Sequence, residues 1–558
     1  MSRIAASGWA VALAVFLVLP PASHAAESEA EAFAELAMLE DTRCPDGKLV
    51  LTFLQSQSPG VRERAARTLA RLQDSTTVTG LTGVLAGDVS VEARREAAFA
   101  LGQVGHKSAG TALARAAQGD PDFAVRRLAI EAIGKLGDAA GTAPCVMAMS
   151  APEATLRREG ALALWRIADE RALRPLSDAL RDPDAEVRAA VAYALEKQAD
   201  TLAVIRVTQE ARGDTSALVR AYVARTLGRM RLPSATGALI ELLEDESVAV
   251  RVNAARALGQ IGDSAAVPQL LGRLADPHAY VREVALLALG QVGDASVAPT
   301  LQAMVRDAEA GVRAAVAVAL GRLDTGREGF AAVRANASPN EPDIAVSGME
   351  ALTTLKAEAA LPLGAEFLRS TQPQVREAAV ALVRALGSEA EAARLLAENA
   401  PPAWQPAALA PYREAPPAAR RAVLETDRGR IVLELFPDDA PRTVGNFVTL
   451  ARKGYFDDTI YHRVVPNFVV QDGDPSRTGW GGPGYAIRCE YNRHRYDAGT
   501  VGMALAGKDT GGSQYFITHS PQPHLDGRYT IFGHVREGMD VMWQMQVGDR
   551  ITRITVDG

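Results

Sequence analysis

The fold of the C-terminal part of the chain is decided by the run Tyr461-His462-Arg463-Val464-Val465-Pro466-Asn467-Phe468-Val469-Val470-Gln471-Asp472-Gly473-Asp474. It reads as a strand, a Pro-Asn turn and a second strand that ends in an Asp-Gly turn. Successive side chains on a strand face opposite ways, so Arg463 is expected on one face of an apolar frame, with Phe468 and Gln471 nearby. A guanidinium beside an aromatic ring and an amide could bind a twisted peptide bond. The alternative for Arg463 is an ordinary strand arginine in a surface ion pair.

The sequence around this run changes to the hydrophobic period of a strand. Val423–Thr426 and Ile431–Leu435, joined by the turn Asp427-Arg428-Gly429, predict a hairpin. Ala440–Leu450 predicts a helix whose proline lies near the start, where a missing N–H is harmless. Short strands broken by glycine follow, as a small barrel requires. We therefore predict a closed β-barrel with flanking helices.

Four separated motifs lie in this part of the chain. They are Ala440-Pro441-Arg442-Thr443-Val444-Gly445-Asn446-Phe447, the run quoted above, Gly511-Gly512-Ser513-Gln514-Tyr515-Phe516-Ile517, and Leu525-Asp526-Gly527-Arg528-Tyr529-Thr530-Ile531-Phe532-Gly533. In this order and at these spacings they resemble the cyclophilin family of peptidyl-prolyl cis-trans isomerases. The resemblance implies a cyclophilin-like closed β-barrel domain over residues 421–558.

The resemblance also implies roles for individual residues. Arg463 matches the catalytic arginine, and Gln471 is expected to keep its guanidinium aimed at the substrate. The substrate-binding residues that the resemblance implies are Phe468, Val469, Ala504, Gln514, Phe516, His524, Leu525 and Tyr529. For Phe468 and Phe516 the alternative is burial in the barrel core. Rotation about an amide bond breaks no bond, so we expect neither a metal nor a cofactor.

Four positions depart from the usual pattern of the family. Val469, His524, Tyr529 and Leu505 stand where the family often has methionine, tryptophan, histidine and asparagine, respectively. Val469 and Tyr529 keep an apolar or aromatic wall, so we expect turnover to survive. His524 replaces an indole, and we therefore expect weak binding of cyclosporin.

The residues that precede this domain repeat with a period of 31 or 32 residues. Their marker is an apolar residue followed by arginine at the start of an apolar helix, first at Val61-Arg62 and last at Val375-Arg376. Each repeat reads as helix, turn and helix, which predicts an α-solenoid over residues 26–399. The pattern resembles short HEAT repeats, a fold with many functions. It implies a surface that binds protein partners, and we find no catalytic motif in it.

Glycines recur at two places in these repeats. One set falls inside the second helix, where the missing side chain would let neighbouring helices approach: Gly102, Gly134, Gly228, Gly259, Gly290 and Gly321. Another set falls where the end of a helix favours a left-handed residue: Gly105, Gly137, Gly262 and Gly293.

An aspartate precedes the marker arginine by six residues in most repeats, as Asp88 precedes Arg94. One interpretation is a basic ridge that binds an acidic ligand. The other is a ladder of Asp–Arg pairs that ties the turn of each repeat to its neighbour. The two charges recur together and solenoid contacts run between adjacent repeats, so the pattern favours the ladder.

The N-terminus reads as a secretory signal. Arg3 precedes the apolar run Trp9–Leu19, and Ser23-His24-Ala25 resembles a small-x-small cleavage site, so residues 1–25 are predicted to be removed. An uncleaved anchor is the alternative. No later run is long and apolar enough to cross a membrane, so we expect an exported protein, with the periplasm as its compartment.

Cysteines and net charge add further limits. The three cysteines, Cys44, Cys145 and Cys489, leave at least one thiol unpaired, and a disulfide between any two of them stays open. A net charge of −7 gives no reason to expect nucleic acid. Residues 400–420 form a Pro/Ala-rich linker that is expected to hold the last domain near the end of the solenoid.

Together these features predict a peptidyl-prolyl cis-trans isomerase that assists the folding or assembly of exported proteins. Its clients would be proline-containing polypeptides, and the repeat array would bind clients or partner proteins. The alternative is a non-catalytic scaffold whose C-terminal domain only binds proline-containing segments.

Overall fold

The computed structural model describes residues 28–44, 46–196, 212–323, 342–354, 356–370, 373–399, 419–477, 479 and 481–557. The signal segment 1–25 and linker residues 400–418 lie outside these residues, and so do the predictions for the structure of those two segments. Within the described residues, helices lie between Glu29 and Glu398, and the first strand begins at Arg421. None of the helices in this part of the chain has the length and apolar character that crossing a bilayer requires.

The array pairs a short first helix with a longer second helix in each repeat for which the structure describes both. The first helices are Lys48–Leu51, Val78–Gly87, Gly110–Gly119, Thr142–Ala148, Leu173–Asp178, Thr236–Leu242, Val267–Gly272, Ala298–Ala303 and Leu361–Phe367. The second helices are Pro59–Leu72, Val91–Val104, Phe123–Leu136, Ala154–Ile167, Ala185–Leu195, Ala217–Met230, Val248–Ile261, Ala279–Val292, Ala310–Arg322, Pro342–Thr354 and Pro373–Leu386. Helices Glu29–Asp41 and Glu389–Glu398 lie at the two ends. These elements confirm the predicted HEAT-type array.

The second helices pack closely because a glycine replaces a side chain at the contact. A Cβ atom on Gly228 would lie 2.5 Å from the Cα of Ala257 on the next second helix, and one on Gly134 would lie 2.6 Å from the Cα of Ala163. The prediction for this set of glycines is confirmed. At the helix ends, Gly105, Gly137 and Gly262 have positive φ, but Gly293 has φ −80° and ψ 173°, so the prediction for Gly293 is wrong. Its N–H still bonds the Leu289 carbonyl, so an extended residue closes that helix.

The marker arginines form the predicted ladder. Arg220, for example, donates from Nε and Nη2 to the Asp245 carboxylate of the next repeat, at 2.6 and 2.8 Å. Its Nη1 donates to the carbonyl of Asp214, six residues earlier, at 2.7 Å. The pairs that share this geometry, hereafter the Arg–Asp ladder, are Arg62–Asp88, Arg94–Asp120, Arg157–Asp182, Arg188–Asp214, Arg220–Asp245, Arg251–Asp276 and Arg282–Asp307. The arginines are therefore committed to neighbouring repeats and do not form a ridge for ligands.

The C-terminal domain is an antiparallel sheet of eight strands. They are β1 (Arg421–Thr426), β2 (Gly429–Leu435), β3 (Arg463–Val465), β4 (Val469–Asp472), β5 (Thr500–Met503), β6 (Tyr515–Thr518), β7 (Ile531–Glu537) and β8 (Ile551–Val556). Their order is β3-β4-β6-β5-β7-β2-β1-β8. Helix Pro441–Arg452 packs Phe447 into the core against Phe456 and Phe532. Short helices Pro523–Leu525 and Met539–Met542 complete the domain.

The sheet curls until its two edges meet at one point. Strands β3 and β8 share no ladder among the described residues, and the isolated bridge Ile460–Arg550 joins the segments beside them. A curled antiparallel sheet with flanking helices is therefore confirmed. Closure by a continuous ladder of hydrogen bonds stays a prediction.

The sheet domain lies against the second helices and does not sit near the end of the array, so that part of the linker prediction is wrong. Its contacts extend from Asp41, 2.6 Å from Arg488, to Glu309, 2.7 Å from Arg428. Many of these contacts are ion pairs, and one is deeply buried. Burial alone would raise the pKa of Glu40, but the guanidinium groups of Arg71, Arg64 and Arg488 hold it well below its usual range. Breaking such a buried pair is costly, which favours a docked domain.

Candidate active site

Strands β3 and β4 place Arg463 and Gln471 side by side. Arg463 lies directly opposite Gln471 in the antiparallel pair, so the two side chains share one face of the sheet. The turn between the strands contains Asn467 with φ 60°, a left-handed conformation that asparagine tolerates well. Gln471 in turn lies opposite Phe516 on β6. The two strands predicted for the opening run therefore bring Arg463 beside Gln471, and β6 adds Phe516 to the same face.

The Arg463 guanidinium lies at the exposed end of a chain of amides. Its Nη1 donates to Gln471 Oε1 at 3.4 Å, and Gln471 Nε2 donates to Gln514 Oε1 at 2.9 Å. Gln514 Nε2 is fixed by the carbonyls of Gly479 and Gly481, at 2.8 and 2.9 Å. The contact to Arg463 is the longest in the series, so the guanidinium is oriented but weakly held.

An apolar cluster with partly exposed residues on its outer side lies beside this guanidinium, and that outer side is hereafter called the apolar pocket. Val469, Tyr496, Phe516, Leu525 and Ile531 form a buried cluster that is separate from the barrel core, which contains Phe447 and its neighbours. The partly buried residues Phe468, Ala504, Tyr529 and Phe436 pack against this cluster. Phe516, which is 5% exposed, is buried in this second cluster, and Phe468 packs against it, so both lie outside the cluster that contains Phe447. Their role in binding substrate stays a prediction. Tyr496, whose ring stacks on that of Phe516 at 5.5 Å, and Ile531 belong to the buried part of this cluster.

The pocket and the guanidinium share one aromatic side chain. The Arg463 Cζ lies 5.6 Å from the centre of the Phe468 ring, close enough for a cation–π contact. Phe516 meets Tyr529 edge to face at 5.6 Å on the opposite wall. The site can therefore hold an apolar ring against Phe468 and Phe516 while presenting donors to the amide attached to that ring.

Two separate parts of the chain are similar to known protein families. The family model "cyclophilin type peptidyl-prolyl cis-trans isomerase" matches residues 421–556, and HEAT-repeat models match residues 80–149, 142–209, 206–285 and 267–345. A peptidyl-prolyl cis-trans isomerase of Synechococcus elongatus is 50% identical over 138 residues, which cover 24% of this chain and 95% of that protein. Peptidyl-prolyl cis-trans isomerase B of Bacillus subtilis is 51% identical over 134 residues, which cover 24% of this chain and 94% of that protein. The chain belongs to the cyclophilin family.

The cyclophilin domain is thus a peptidyl-prolyl cis-trans isomerase domain preceded by HEAT repeats. Arg463 is exposed, but the protein atoms around its guanidinium remove part of its hydration and so lower its pKa. The nearby Tyr529 raises this pKa by a smaller amount. An arginine starts from a pKa above 12, so the guanidinium stays charged at neutral pH. No group of three or more metal-ligating side chains occurs in the part of the chain that the structure describes.

His524 lies where the cyclophilin domain meets the array. Its ring stacks on Phe468 at 5.7 Å and 23°, so aromatic surface remains beside the pocket. Its Nδ1 lies 3.2 Å from the hydroxyl of Tyr193, on the second helix Ala185–Leu195. Neighbouring rim residues are held in the same way, since Tyr222 donates to the Pro521 carbonyl at 2.9 Å and Arg256 donates to the Pro466 carbonyl at 3.0 Å.

The sequence did not identify every residue of this site. Tyr496 belongs to no motif, and Ile531 lies inside a motif but alternates like any strand residue. Tyr193, Tyr222 and Arg256 come from the array, where their positions on the second helices show no periodic signal. A tyrosine in helices otherwise rich in alanine was the one available sign.

The described cysteines are all free thiols. Burial raises the pKa of the Cys145 thiol to about 12, and it also raises the pKa of Cys489. Such thiols are weak nucleophiles, which is consistent with structural roles.

Proposed function

We propose that Arg463 is the catalytic residue of this isomerase and that Gln471 orients it. The barrier to X–Pro rotation is about 18–20 kcal/mol because amide resonance resists twisting. As resonance is lost, the lone pair localises on the proline nitrogen, and a guanidinium donor beside it bonds more strongly to the twisted amide than to either planar form. An interaction that strengthens in the transition state lowers the barrier. The weakly held Arg463 beside this cluster of apolar side chains is the observation that supports this assignment.

The apolar pocket is proposed to hold the proline ring while the preceding residue rotates. Its walls would be Phe468, Val469, Phe516, Leu525 and Tyr529, with Gln514 and Ala504 lining the path of the peptide and His524 at the rim. Gln514 supports this role because its amide is already fixed by two carbonyls. A fixed ring turns binding energy into orientation of the reacting amide.

The protein is further proposed to act on exported chains in the periplasm, with residues 1–25 as its signal peptide, 26–399 as the array, 400–420 as the linker and 421–558 as the isomerase domain. The array would bind clients or partner proteins, and the β-barrel would be closed. Uncatalysed X–Pro isomerisation takes about 10–100 s at 25 °C, so folding of exported chains gains from a catalyst. N-terminal sequencing of the periplasmic protein is expected to begin at Ala26.

The catalytic assignment is tested with an X–Pro peptide and the full-length protein. Arg463→Ala is expected to lower kcat/KM about 10²- to 10³-fold, the range for removing a donor that acts in the transition state. Arg463→Lys keeps the positive charge but not the planar guanidinium, so its kcat/KM should lie between those of the wild type and Arg463→Ala. Arg430→Ala removes an arginine that is 49% exposed on β2 and serves as the control.

The scaffold interpretation gives a different result in the same experiment. If the protein only binds proline-containing segments, wild type and Arg463→Ala show equal, negligible rates while both still bind the peptide. Fluorescence anisotropy with the same peptide, labelled, measures that binding directly.

A further inference from the structure

A cavity of about 540 Å³ lies between the array and the rim of the active site. The cyclophilin domain contributes Phe468 and His524 to its wall, and the array contributes Arg225, Arg229 and Arg256. This volume falls in the range of small-ligand sites and suits one or two residues of an extended peptide. Because Phe468 also lines the apolar pocket, a chain that places a ring there can continue past His524 into this cavity.

The charges that the described residues place around the cavity are not balanced. Arg225 Nη2 and Arg229 Nη1 share the single carboxylate of Glu196, at 2.7 and 2.9 Å. Arg256 donates to the Pro466 carbonyl at 3.0 Å and to Asn253 Oδ1 at 3.4 Å, both neutral acceptors. Burial lowers the pKa of Arg256 more than the nearby Glu283 raises it. Among the described residues, three guanidinium groups therefore lie near two carboxylates, those of Glu196 and Glu283, which leaves a positive excess that an anion would offset.

An unused donor lies in the wall of the same cavity. Asn253 is only 2% exposed, and its Nδ2 has no hydrogen-bond partner in the described parts of the chain. A buried amide without a partner is costly, so such groups usually have one. Its Oδ1 accepts a hydrogen bond from Arg256 at 3.4 Å, so the amino group is the part of this side chain that lacks a partner among the described residues.

We propose that this cavity extends the substrate site and binds an acidic residue next to the proline of a client chain. The proposal rests on the proposed function, since it assumes that the proline ring occupies the pocket at Phe468. Carboxylate oxygens accept hydrogen bonds from arginine and amide donors, which is the donor set present here. The array thus acts as part of the specificity site, in addition to supporting the domain.

The test uses the full-length protein and peptides that differ only near the X–Pro bond. Glu, Ala or Lys is placed one or two residues from the proline on either side, and kcat/KM is measured at low and at high salt. The best Glu peptide is expected to exceed its Ala counterpart about fivefold, with Lys lowest, because a partly exposed ion pair contributes modestly. High salt should reduce the difference.

Two variants and a control locate the effect. Arg229→Ala changes a side chain that is 59% exposed, so the fold should survive, and it should remove most of the Glu preference. Arg256→Gln should do the same but also weakens the contact to Pro466. Arg174→Ala removes an arginine that is 93% exposed outside the cavity, and the preference should not change.

The failure of this inference differs from the failure of the proposed function. Equal kcat/KM for Glu and Lys peptides, with the Ala peptide still turned over, would overturn the inference alone. If no peptide is turned over, the proposed function fails. In that case, fluorescence anisotropy of the same labelled peptides tests the inference. It is supported if Glu peptides bind more tightly than Lys peptides and Arg229→Ala abolishes the difference, and it is overturned if all peptides bind equally.

Discussion

The array and the cyclophilin domain use arginine in opposite ways. In the Arg–Asp ladder, Arg220 donates from three nitrogens over 2.6 to 2.8 Å, to one carboxylate and one carbonyl. At the active site, the guanidinium of Arg463 makes one hydrogen bond to the described residues, to a neutral amide at 3.4 Å, and one cation–π contact with Phe468. A ladder arginine has its donors occupied in the ground state. Arg463 keeps donors available for a group that becomes a better acceptor only as the substrate twists.

Carboxylates show the same contrast. Burial raises the pKa of Asp245 in the ladder. The hydrogen bonds from Arg220 and the Ser247 N–H lower this pKa by more than burial raises it, so the net shift is downward. In the barrel, burial raises the pKa of Asp472 to about 7, and the Gly473 N–H and Thr459 offset this only in part. The array therefore compensates its recurring buried carboxylates with arginines. The cyclophilin domain leaves a buried carboxylate beside the active site, that of Asp472, without such compensation.

The largest predicted effect is the loss of a buried ladder pair. Arg251 and Asp276 are 9% and 6% exposed, so Arg251→Ala leaves a buried carboxylate without its partner. The free energy of unfolding of the array should fall by about 3–5 kcal/mol, measured by urea denaturation. Arg126→Ala is the matched control. Its partner Glu153 is 43% exposed, so losing this ion pair should lower the free energy of unfolding by about 1 kcal/mol or less. Equal losses in the two variants would show that the ladder is not the main source of stability.

Much of the array could be predicted from the sequence because its physical causes are local and repeated. The arginine after the apolar residue, the aspartate six residues before it and the glycine inside the second helix each recur with the period. A structure built from one unit makes the same contact many times, so one interpretation explains all copies. Gly293 is an exception. It occupies the same position in its repeat as Gly105, Gly137 and Gly262, but its own backbone is extended and not left-handed.

The site could be predicted in part, because four motifs identify the family and the strand register places Arg463 beside Gln471. The docking of the domain could not be predicted, because it depends on residues far apart in the sequence. The contact of Tyr193 with His524 spans 331 residues, and neither residue has a motif that refers to the other. In the sequence, His524 only replaces the tryptophan that the family often has at this position. In the structure it contacts both Phe468 and Tyr193 of the array.

The second prediction tests the uncompensated carboxylate of the barrel. Asp472 has a folded pKa of about 7, above the value of about 3.9 in an unfolded chain, so the folded state binds the proton more tightly. Stability is therefore highest below about pH 4 for this group and falls as the pH rises through 7. Between pH 5 and 8 the loss should be roughly 2–3 kcal/mol.

Asp472→Asn should remove this dependence, because an amide oxygen can still accept the hydrogen bond that Thr459 donates at 2.9 Å. Thermal unfolding at several pH values, monitored by circular dichroism, measures the difference. An unchanged pH profile in the variant would show that Asp472 ionises normally and that the contrast between the two regions does not extend to carboxylates.

The third prediction separates close helix packing from charge pairing within the array. Gly228→Ala places a Cβ 2.5 Å from the backbone of Ala257, so the helices must move apart and about 1–3 kcal/mol should be lost. Gly237→Ala lies on a first helix with nothing within 4 Å of its Cβ and should gain up to about 1 kcal/mol of helix propensity. Urea denaturation of both variants gives the comparison. A stable Gly228→Ala variant would leave the ladder as the dominant contact between repeats.

The smallest predicted effect applies the contrast to the active site itself. Gln471→Ala removes the amide that orients the guanidinium and should lower kcat about fivefold with little change in KM, the result of losing one modest hydrogen bond that acts in the transition state. Gln544→Ala changes an exposed glutamine of the same domain and is the control.

Gln471→Glu is the stronger test, because it gives Arg463 a carboxylate partner like those of the ladder. The ion pair would hold the guanidinium more firmly, and the donors that the twisted amide needs would be occupied before the substrate arrives. We therefore expect kcat to fall although the free energy of unfolding does not. If Gln471→Glu instead matches or exceeds the wild-type kcat, firm positioning matters more than free donors, and the contrast between the two kinds of arginine does not explain catalysis.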